Sequence, residues 1–556
     1  MVSLPPRFAV AAPARQTGIG SEEERLRRPK RTEVPPRQEI PLELPPEGPL
    51  PPSAIEALQI QVVRIAVEGA TLLPDKELSK RTASLIGRSV TLQEIQQVTQ
   101  GITRWYRGRG YVTSRAFVPA QTVEQGLVRI RVVEGRVGEI RVEGNRYFST
   151  DLLKRQMPVR PDEILWLPRL EEGLSRLNAH PDRKVKMVLA PGTRPETTDL
   201  VLQVTDHLPF HGSYGVDTLG TKVTGEIRQS MTLSHGNLTG HDDQLAVRGI
   251  VSEFRGLEGG TMSYLRPLTP SGLTATLDVS GVKSSIGGDL KGLLARGDAV
   301  TVSPGLIIPW IRRTGFELEC VTGFDVRRVR TRLDDVINSK DDLRVLHLGT
   351  NLLEQDSHGQ SLFTQELRWG LADFLGSSDR EDPAASRAQA GGNFLHWDTG
   401  LVRLQQCPGG FQLLLRGSSQ ITNRRLVPAE QFRLGGFDTV RGYPEGEFLG
   451  DSGFQSTVEL RAPMDRFLPV SGSDRSIAGR LRRSLLLVGF WDFAEGFVKN
   501  PTSGEDKDMR LSGVGCGLRL RPTSESSLQM DWGWAIGDAD SEKDRPRLHL
   551  ICRIGF

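Results

Sequence analysis

From about His207 to the end of the chain, apolar and polar residues alternate in short runs. Leu273, Ala275, Leu277 and Val279 interleave with Thr274, Thr276, Asp278 and Ser280. Phe454, Ser456, Val458, Leu460 and Ala462 interleave with Gln455, Thr457, Glu459 and Arg461, and the same period of two recurs over Leu528–Ile536 and Leu548–Phe556. Successive side chains of a strand point to opposite faces, so each run predicts a strand with one greasy and one polar face. Roughly 350 residues in this pattern make about 16 strands of some ten residues with their turns, the size of a wide barrel with an aqueous interior. A soluble sandwich whose apolar faces turn inward also shows such alternation.

Upstream the period changes. Thr91 and Glu94 stand three residues apart as a capping box, and Leu92, Ile95, Val98, Ile102 and Trp105 follow at three- and four-residue spacing, which predicts an amphipathic helix ending at Gly108 and Gly110. Tyr111-Val112 is expected to open a strand, and Leu127–Val133 to form a second. The segment repeats itself at an offset of 75 residues, because Ile65-x-Val67-Glu68-Gly69 is matched by Ile140-x-Val142-Glu143-Gly144. In the second copy a helix is expected from about Arg169 to Asn178, with Leu200–Val204 closing the sheet. Two small units with helices on one face of a sheet follow, each offering a sheet edge to which an extended polypeptide can add.

Residues 1–53 are rich in Pro, Glu and Arg and have little to bury. Ser21–Arg28 predicts at most two helical turns, and the prolines between Pro35 and Pro52 predict a semi-rigid spacer. Met1–Gln16 lacks the charged start and apolar core of a signal peptide, so an exported chain is expected to have its true start upstream or its numbering begun near a mature end.

Composition removes several classes. No run of about 18 apolar residues occurs, which excludes a helical membrane protein and leaves a membrane barrel untouched. A net charge of +3 is too mild to argue for nucleic acid. Cys320, Cys407, Cys516 and Cys552 lie far apart with no C-x-x-C pair, so no metal and no essential disulfide is expected. No H-E-x-x-H, G-x-S-x-G or EF-hand pattern occurs, and Gly215–Lys222 only approaches a phosphate loop, with the Lys-Thr order reversed. Neither a catalytic constellation nor a cofactor is expected, and no nucleotide site supplies a local source of energy.

One stretch stands apart. Phe432–Gly453 (FRLGGFDTVRGYPEGEFLGDSG) combines paired glycines, Val440-Arg441-Gly442-Tyr443 and Pro444, which predicts a backbone bent repeatedly around one arginine. Asp492, interrupting the apolar run Leu485–Gly489 to Phe493 in the motif Phe490-x-Asp492, is the nominated partner, since a guanidinium and a carboxylate meet in a two-pronged pair.

The VRGY loop, the F-x-D strand and the aromatic ending at Phe556 together resemble the two-partner secretion transporters of the Gram-negative outer membrane, the haemolysin secretion/activation family. The resemblance implies α+β periplasmic repeats followed by a membrane all-β domain: a segment 1–53 with a short plug helix and linker, POTRA domains over 54–135 and 136–206, and a 16-stranded barrel over 207–556. It implies that the VRGY loop folds back into the barrel, that Arg441 contacts Asp492, that Gly442 permits the bend and Tyr443 packs it, and that Phe556 is read by the barrel-assembly machinery. In a wet lumen the ion pair is expected to contribute about 1 kcal/mol and to act by position. The partners implied are a large secreted exoprotein and outer-membrane lipid, with no nucleic acid. An outer-membrane assembly factor of the same superfamily shares the loop, and a soluble all-β binding protein remains the more distant alternative.

Overall fold

The computed structural model describes residues 42–43, 59–285, 295–313, 315–379, 381–467, 481, 484–523, 525–537 and 545–555. The plug segment Ser21–Arg28 and the terminal Phe556 lie outside the described residues, as does the spacer apart from Leu42–Glu43. The chain divides into two compact units, Gln38–Pro209 and one that carries Phe210–Phe556.

In the first unit, strands β1 (Leu42–Glu43), β2 (Gln59–Gln61), β3 (Arg64–Glu68), β4 (Ser89–Thr91), β5 (Arg115–Phe117) and β6 (Leu127–Val133) come with helices Asp75–Thr82 and Leu92–Arg107. Then follow β7 (Arg136–Glu143), helices Thr150–Gln156 and Leu167–Asn178, β8 (Arg183–Pro191) and β9 (Thr197–Asp206). The two copies share one topology. The sheet order is β3-β6-β5 in the first and β7-β9-β8 in the second, with β1 added to β8 as a parallel edge. Apolar residues point inward in both: Ile95, Ile102, Val128 and Ile130 in one core, Leu170, Leu174, Leu177 and Leu202 in the other.

The helix Leu92–Arg107 begins at a reciprocal capping box, Thr91 and Glu94 each accepting the other's backbone N–H. Two expectations need correction. Tyr111-Val112 lies in a turn, closed by the Ser114 N–H donating to the Tyr111 carbonyl (3.1 Å) with Tyr111 edge-on to Tyr106, so the strand starts only at Arg115. Leu200–Val204 lies mid-sheet, because β9 pairs with β7 on one side and β8 on the other.

Each repeat holds a buried acid that caps the turn after its first strand and that the pattern of apolar residues does not announce. Glu134, just after β6, accepts the backbone N–H groups of Thr71 (2.7 Å) and Leu72 (2.8 Å) and the Tyr106 hydroxyl (2.7 Å). Asp206, at the end of β9, accepts N–H groups from Arg146, Tyr147 and Phe148. The acid and its turn therefore recur with the repeat, supplying acceptors to N–H groups that would otherwise be left unpaired. Burial pushes the Glu134 carboxyl up, and its bonds from Thr71, Tyr106 and Leu72 outweigh this and hold it below the ordinary glutamate value.

The second unit is a closed antiparallel barrel of sixteen strands. They are β10 (Phe210–Asp217), β11 (Arg228–His235), β12 (Gln244–Ser252), β13 (Leu257–Pro267), β14 (Thr274–Ser285) and β15 (Ala295–Arg313). Next come β16 (Phe316–Leu333), β17 (Val336–Gln355), β18 (Gly359–Gly370), β19 (Leu395–Gln406) and β20 (Gln412–Thr422). A loop containing the short hairpin β21 (Phe432–Leu434) and β22 (Phe448–Gly450) precedes β23 (Ser452–Pro463), β24 (Leu485–Phe497), β25 (Asp508–Leu520), β26 (Ser527–Ala535) and β27 (Arg547–Gly555). β10 pairs with β27 from Ser213↔Gly555 to Asp217↔Ile551, which removes both sheet edges. β15 to β17 run 18 to 20 residues, well beyond the ten or so a tilted span requires. Here the apolar residues face out. Trp310 is 63% exposed and Ile554 61%, and Trp369, Trp397, Leu460, Trp491 and Trp534 are exposed too, whereas Arg327, Arg368, Glu459, Asp492 and Asp531 are buried. Such a surface is stable against lipid, not water.

Candidate functional site

The loop between β20 and β23 is shaped by its own residues. β21 pairs with β22 through Phe432↔Gly450 and Leu434↔Phe448, and Gly435 and Gly436 turn the chain at φ +91° and +104°. A Cβ on Gly435 would sit 2.7 Å from the Pro444 carbonyl oxygen, so at that positive φ only glycine fits the approach. Val440 and Tyr443 are buried with Phe432, Leu434, Phe448, Leu511 and Ala535, forming an apolar plug under the tip.

That packing delivers Arg441, 2% exposed, to the polar face of β23, β24 and β26. Its Nε donates to Asp492 Oδ2 (2.7 Å) and its Nη2 to Asp492 Oδ1 (2.9 Å), a two-pronged pair, and its backbone N–H donates to the same carboxylate at 3.1 Å. Nη1 donates to Glu459 Oε2 (2.8 Å) and Asp531 Oδ2 (3.1 Å). The Phe490 ring lies under the guanidinium, 3.4 Å from its central carbon to the ring centroid, with charge over the π face. Arg519 donates to Glu459 and Asp531 and Arg461 to Glu459, so the three acids meet three guanidinium groups. Gly442 adopts φ +101°, and a Cβ there would meet the Ala535 nitrogen at 2.8 Å. The Tyr443 hydroxyl donates to the Ser512 carbonyl (3.3 Å) and accepts from the Gly537 N–H (3.0 Å).

The structure thus brings Val440, Arg441, Gly442 and Tyr443 together with Phe490 and Asp492. The expectation of a wet, weak ion pair is corrected: Asp492 and Asp531 are fully buried and Glu459 nearly so. Removing one member of a buried, hydrogen-bonded charge set leaves its partners uncompensated, a loss of about 3–5 kcal/mol. Sequence reasoning missed Glu459, Asp531 and Arg519. Each occupies the polar parity of its strand, as Asp492 does, and the available signal was an acid or base flanked by apolar residues on both sides. It also missed the wall glycines: a Cβ on Gly513 would lie 2.1 Å from the Arg441 carbonyl oxygen, and one on Gly533 2.5 Å from the Gly442 nitrogen. These glycines are the recess that receives the tip.

A closed sixteen-stranded cylinder with apolar residues outside, a polar interior and αβ units ahead of it defines an outer-membrane barrel transporter. The comparisons with known proteins agree. The family model for haemolysin secretion/activation protein ShlB/FhaC/HecB matches residues 196–480, and that for the ShlB-type POTRA domain matches residues 60–135. The chain is 24% identical over 486 residues to the heme/hemopexin transporter protein HuxB of Haemophilus influenzae, covering 85% of this chain and 83% of that protein. It is 28% identical over 431 residues to the outer membrane transporter CdiB of Escherichia coli O6:K15:H31, covering 75% and 71%. The solved structure of CdiB from Escherichia coli superposes with a TM-score of 0.70 at 23% identity, over 96% of each chain. The chain belongs to the ShlB/FhaC/HecB family of haemolysin secretion/activation proteins, outer-membrane transporters of two-partner secretion whose POTRA region lies in the periplasm.

Proposed function

We propose that the chain takes up one large, unfolded exoprotein through its αβ units and passes it through the barrel, with the VRGY loop acting as the element that must be correctly seated for passage. In this reading 54–135 and 136–206 are two POTRA domains, 207–556 is the pore, and 1–53 is a plug and linker segment. Their sheet edges suit an extended polypeptide, since backbone hydrogen bonding is independent of client sequence. The protein carries out no catalysis. The client's folding outside supplies the direction, outer-membrane lipid surrounds the apolar belt, and the barrel-assembly machinery inserts the chain by reading Phe556.

The observation that carries the loop's role is the burial of Arg441 among Asp492, Glu459 and Asp531. The test is Arg441→Ala, with the exoprotein assayed in the medium against equal amounts of heat-modifiable transporter in the membrane. Secretion is expected to fall sharply while the barrel still inserts; unchanged secretion removes the loop from the mechanism.

A further inference from the structure

The tip of the loop is not its only charged attachment. Glu430, on the stem of the loop and buried, faces β16, β18 and β19 rather than the strands that hold Arg441. Its Oε1 accepts from Arg327 Nη1 on β16 (2.9 Å) and Arg368 Nη2 on β18 (3.3 Å). Its Oε2 accepts from Arg368 Nε (3.1 Å) and lies 3.2 Å from His396 Nε2 on β19. Arg327 Nη1 also donates to the carbonyl of Ala429, the preceding loop residue (2.9 Å). Arg368 is held in place from behind by Asp325 (3.0 Å) and Glu366 (3.0 Å). The contacts therefore fix both the side chain and the backbone of the loop stem.

We infer that Glu430, gripped by Arg327 and Arg368, is a second positioning residue of the loop, a stem pin on the β16–β19 wall that stays closed when the Arg441 pin on the β23–β26 wall is released, and so sets the width of the free bore. Three observations carry this. The two pins share no residue, and 11 positions of chain separate Glu430 from Arg441, so one can open without the other. Gln420 Nε2 donates to both the Glu430 carbonyl (2.9 Å) and the Asp451 carbonyl (3.0 Å), so the two ends of the loop are tied to one β20 side chain beside the pin. And a cavity of ≈ 630 Å³ is bounded by the pin itself, with Glu430, Arg368 and His396 among its walls together with Asp278, Ser303 and Thr399. A stem that leaves the β16–β19 wall has this cavity beside it to move into. With both pins closed the loop is a strap, and with only the stem pin closed it is a hinged flap.

The inference rests on the loop reading above, but its test needs no client, so the two fail separately. The full-length protein is inserted in planar bilayers and single-channel current is recorded for wild type, Glu430→Gln, Glu430→Asp and Arg441→Ala. Loss of one charge from a buried set lowers the ratio of pinned to unpinned stem by on the order of 100-fold or more. Glu430→Gln is expected to lose the steady wild-type level and flicker between levels, Glu430→Asp to restore a steady level, and Glu430→Gln with Arg441→Ala to be noisier than either single change. A Glu430→Gln trace indistinguishable from wild type overturns the stem pin, as does failure of Glu430→Asp to restore steadiness. Should Glu430→Gln not reach the membrane, Arg327→Gln, which leaves the loop's own sequence intact, carries the test with the same two outcomes. A secretion defect in Arg441→Ala with a quiet Glu430→Gln channel would keep the proposed function and discard this one.

Discussion

Two buried acids of the αβ unit, Glu134 and Asp206, are satisfied differently from the three that hold the loop tip in the barrel. Glu134 and Asp206 receive backbone N–H groups from a turn of their own repeat 58 to 63 residues earlier, Glu134 with two hydroxyl groups beside them. Asp492, Glu459 and Asp531 receive guanidinium groups, and the one they share comes from a loop that crosses to them. The apolar residues differ as well: inward in the repeats, outward in the barrel. An acid held by backbone donors is part of a self-contained fold. An acid held by a side chain from a loop is a fastening, which can be undone without unfolding the wall.

The sharpest break of this comparison is at the fastening. Gly533→Val keeps every charge but fills the recess beside Gly442, so it is expected to reproduce the Arg441→Ala loss of secretion at normal membrane levels; overpacking of this kind costs about 1–3 kcal/mol on top of the displaced ion set, worth about 3–5 kcal/mol. Secretion assays with matched membrane fractions check it.

Next in size is the outward face. Leu460→Arg places a charge on the lipid side next to Glu459 and is expected to destabilise the inserted barrel by about 2–4 kcal/mol near the bilayer middle, read as a lower heat-modifiable fraction. Were the exposed apolar residues a solvent-facing surface, the same change would be neutral.

Glu134→Ala removes the acceptor for Thr71 and Leu72 without touching the barrel. The expected loss is about 1–3 kcal/mol, confined to the first repeat and seen as faster amide exchange at those two residues with unchanged barrel migration. The smallest effect is its pH counterpart. Because the Glu134 carboxyl titrates below its unfolded value, its contribution is fully present above the unfolded value and is lost as pH falls through the folded one. Protection of Thr71 and Leu72 relative to unstructured amides at the same pH should therefore fall on acidification into and below the ordinary glutamate range, and Glu134→Gln should flatten the response.

Much of this was legible beforehand because it is local. The capping box at Thr91 and Glu94 and the period-two strands depend on residues within a few positions of one another, and the division of each strand into an apolar and a polar face follows from parity alone. Arg441 and Asp492 were legible as a pair because a loop rich in glycine and an acid in a greasy strand are both unusual in their surroundings. Glu459, Asp531 and Glu430 were not. Glu459 and Asp531 sit on the polar parity of barrel strands, where an acid looks like any solvated side chain until another segment covers it, and Glu430 lies in the loop with its arginine partners 62 and 103 positions away along the chain.

By itself the sequence determined the repeat, the alternation and the arginine-bearing turn, since these are set by neighbours along the chain. Only the tertiary structure decided which walls the loop is fastened to, that the lock is dry, and that Gly513 and Gly533 make room for it. Those facts depend on ring closure between β10 and β27, which brings together residues up to about 340 positions apart and gives each inward side chain a partner that no local pattern can name.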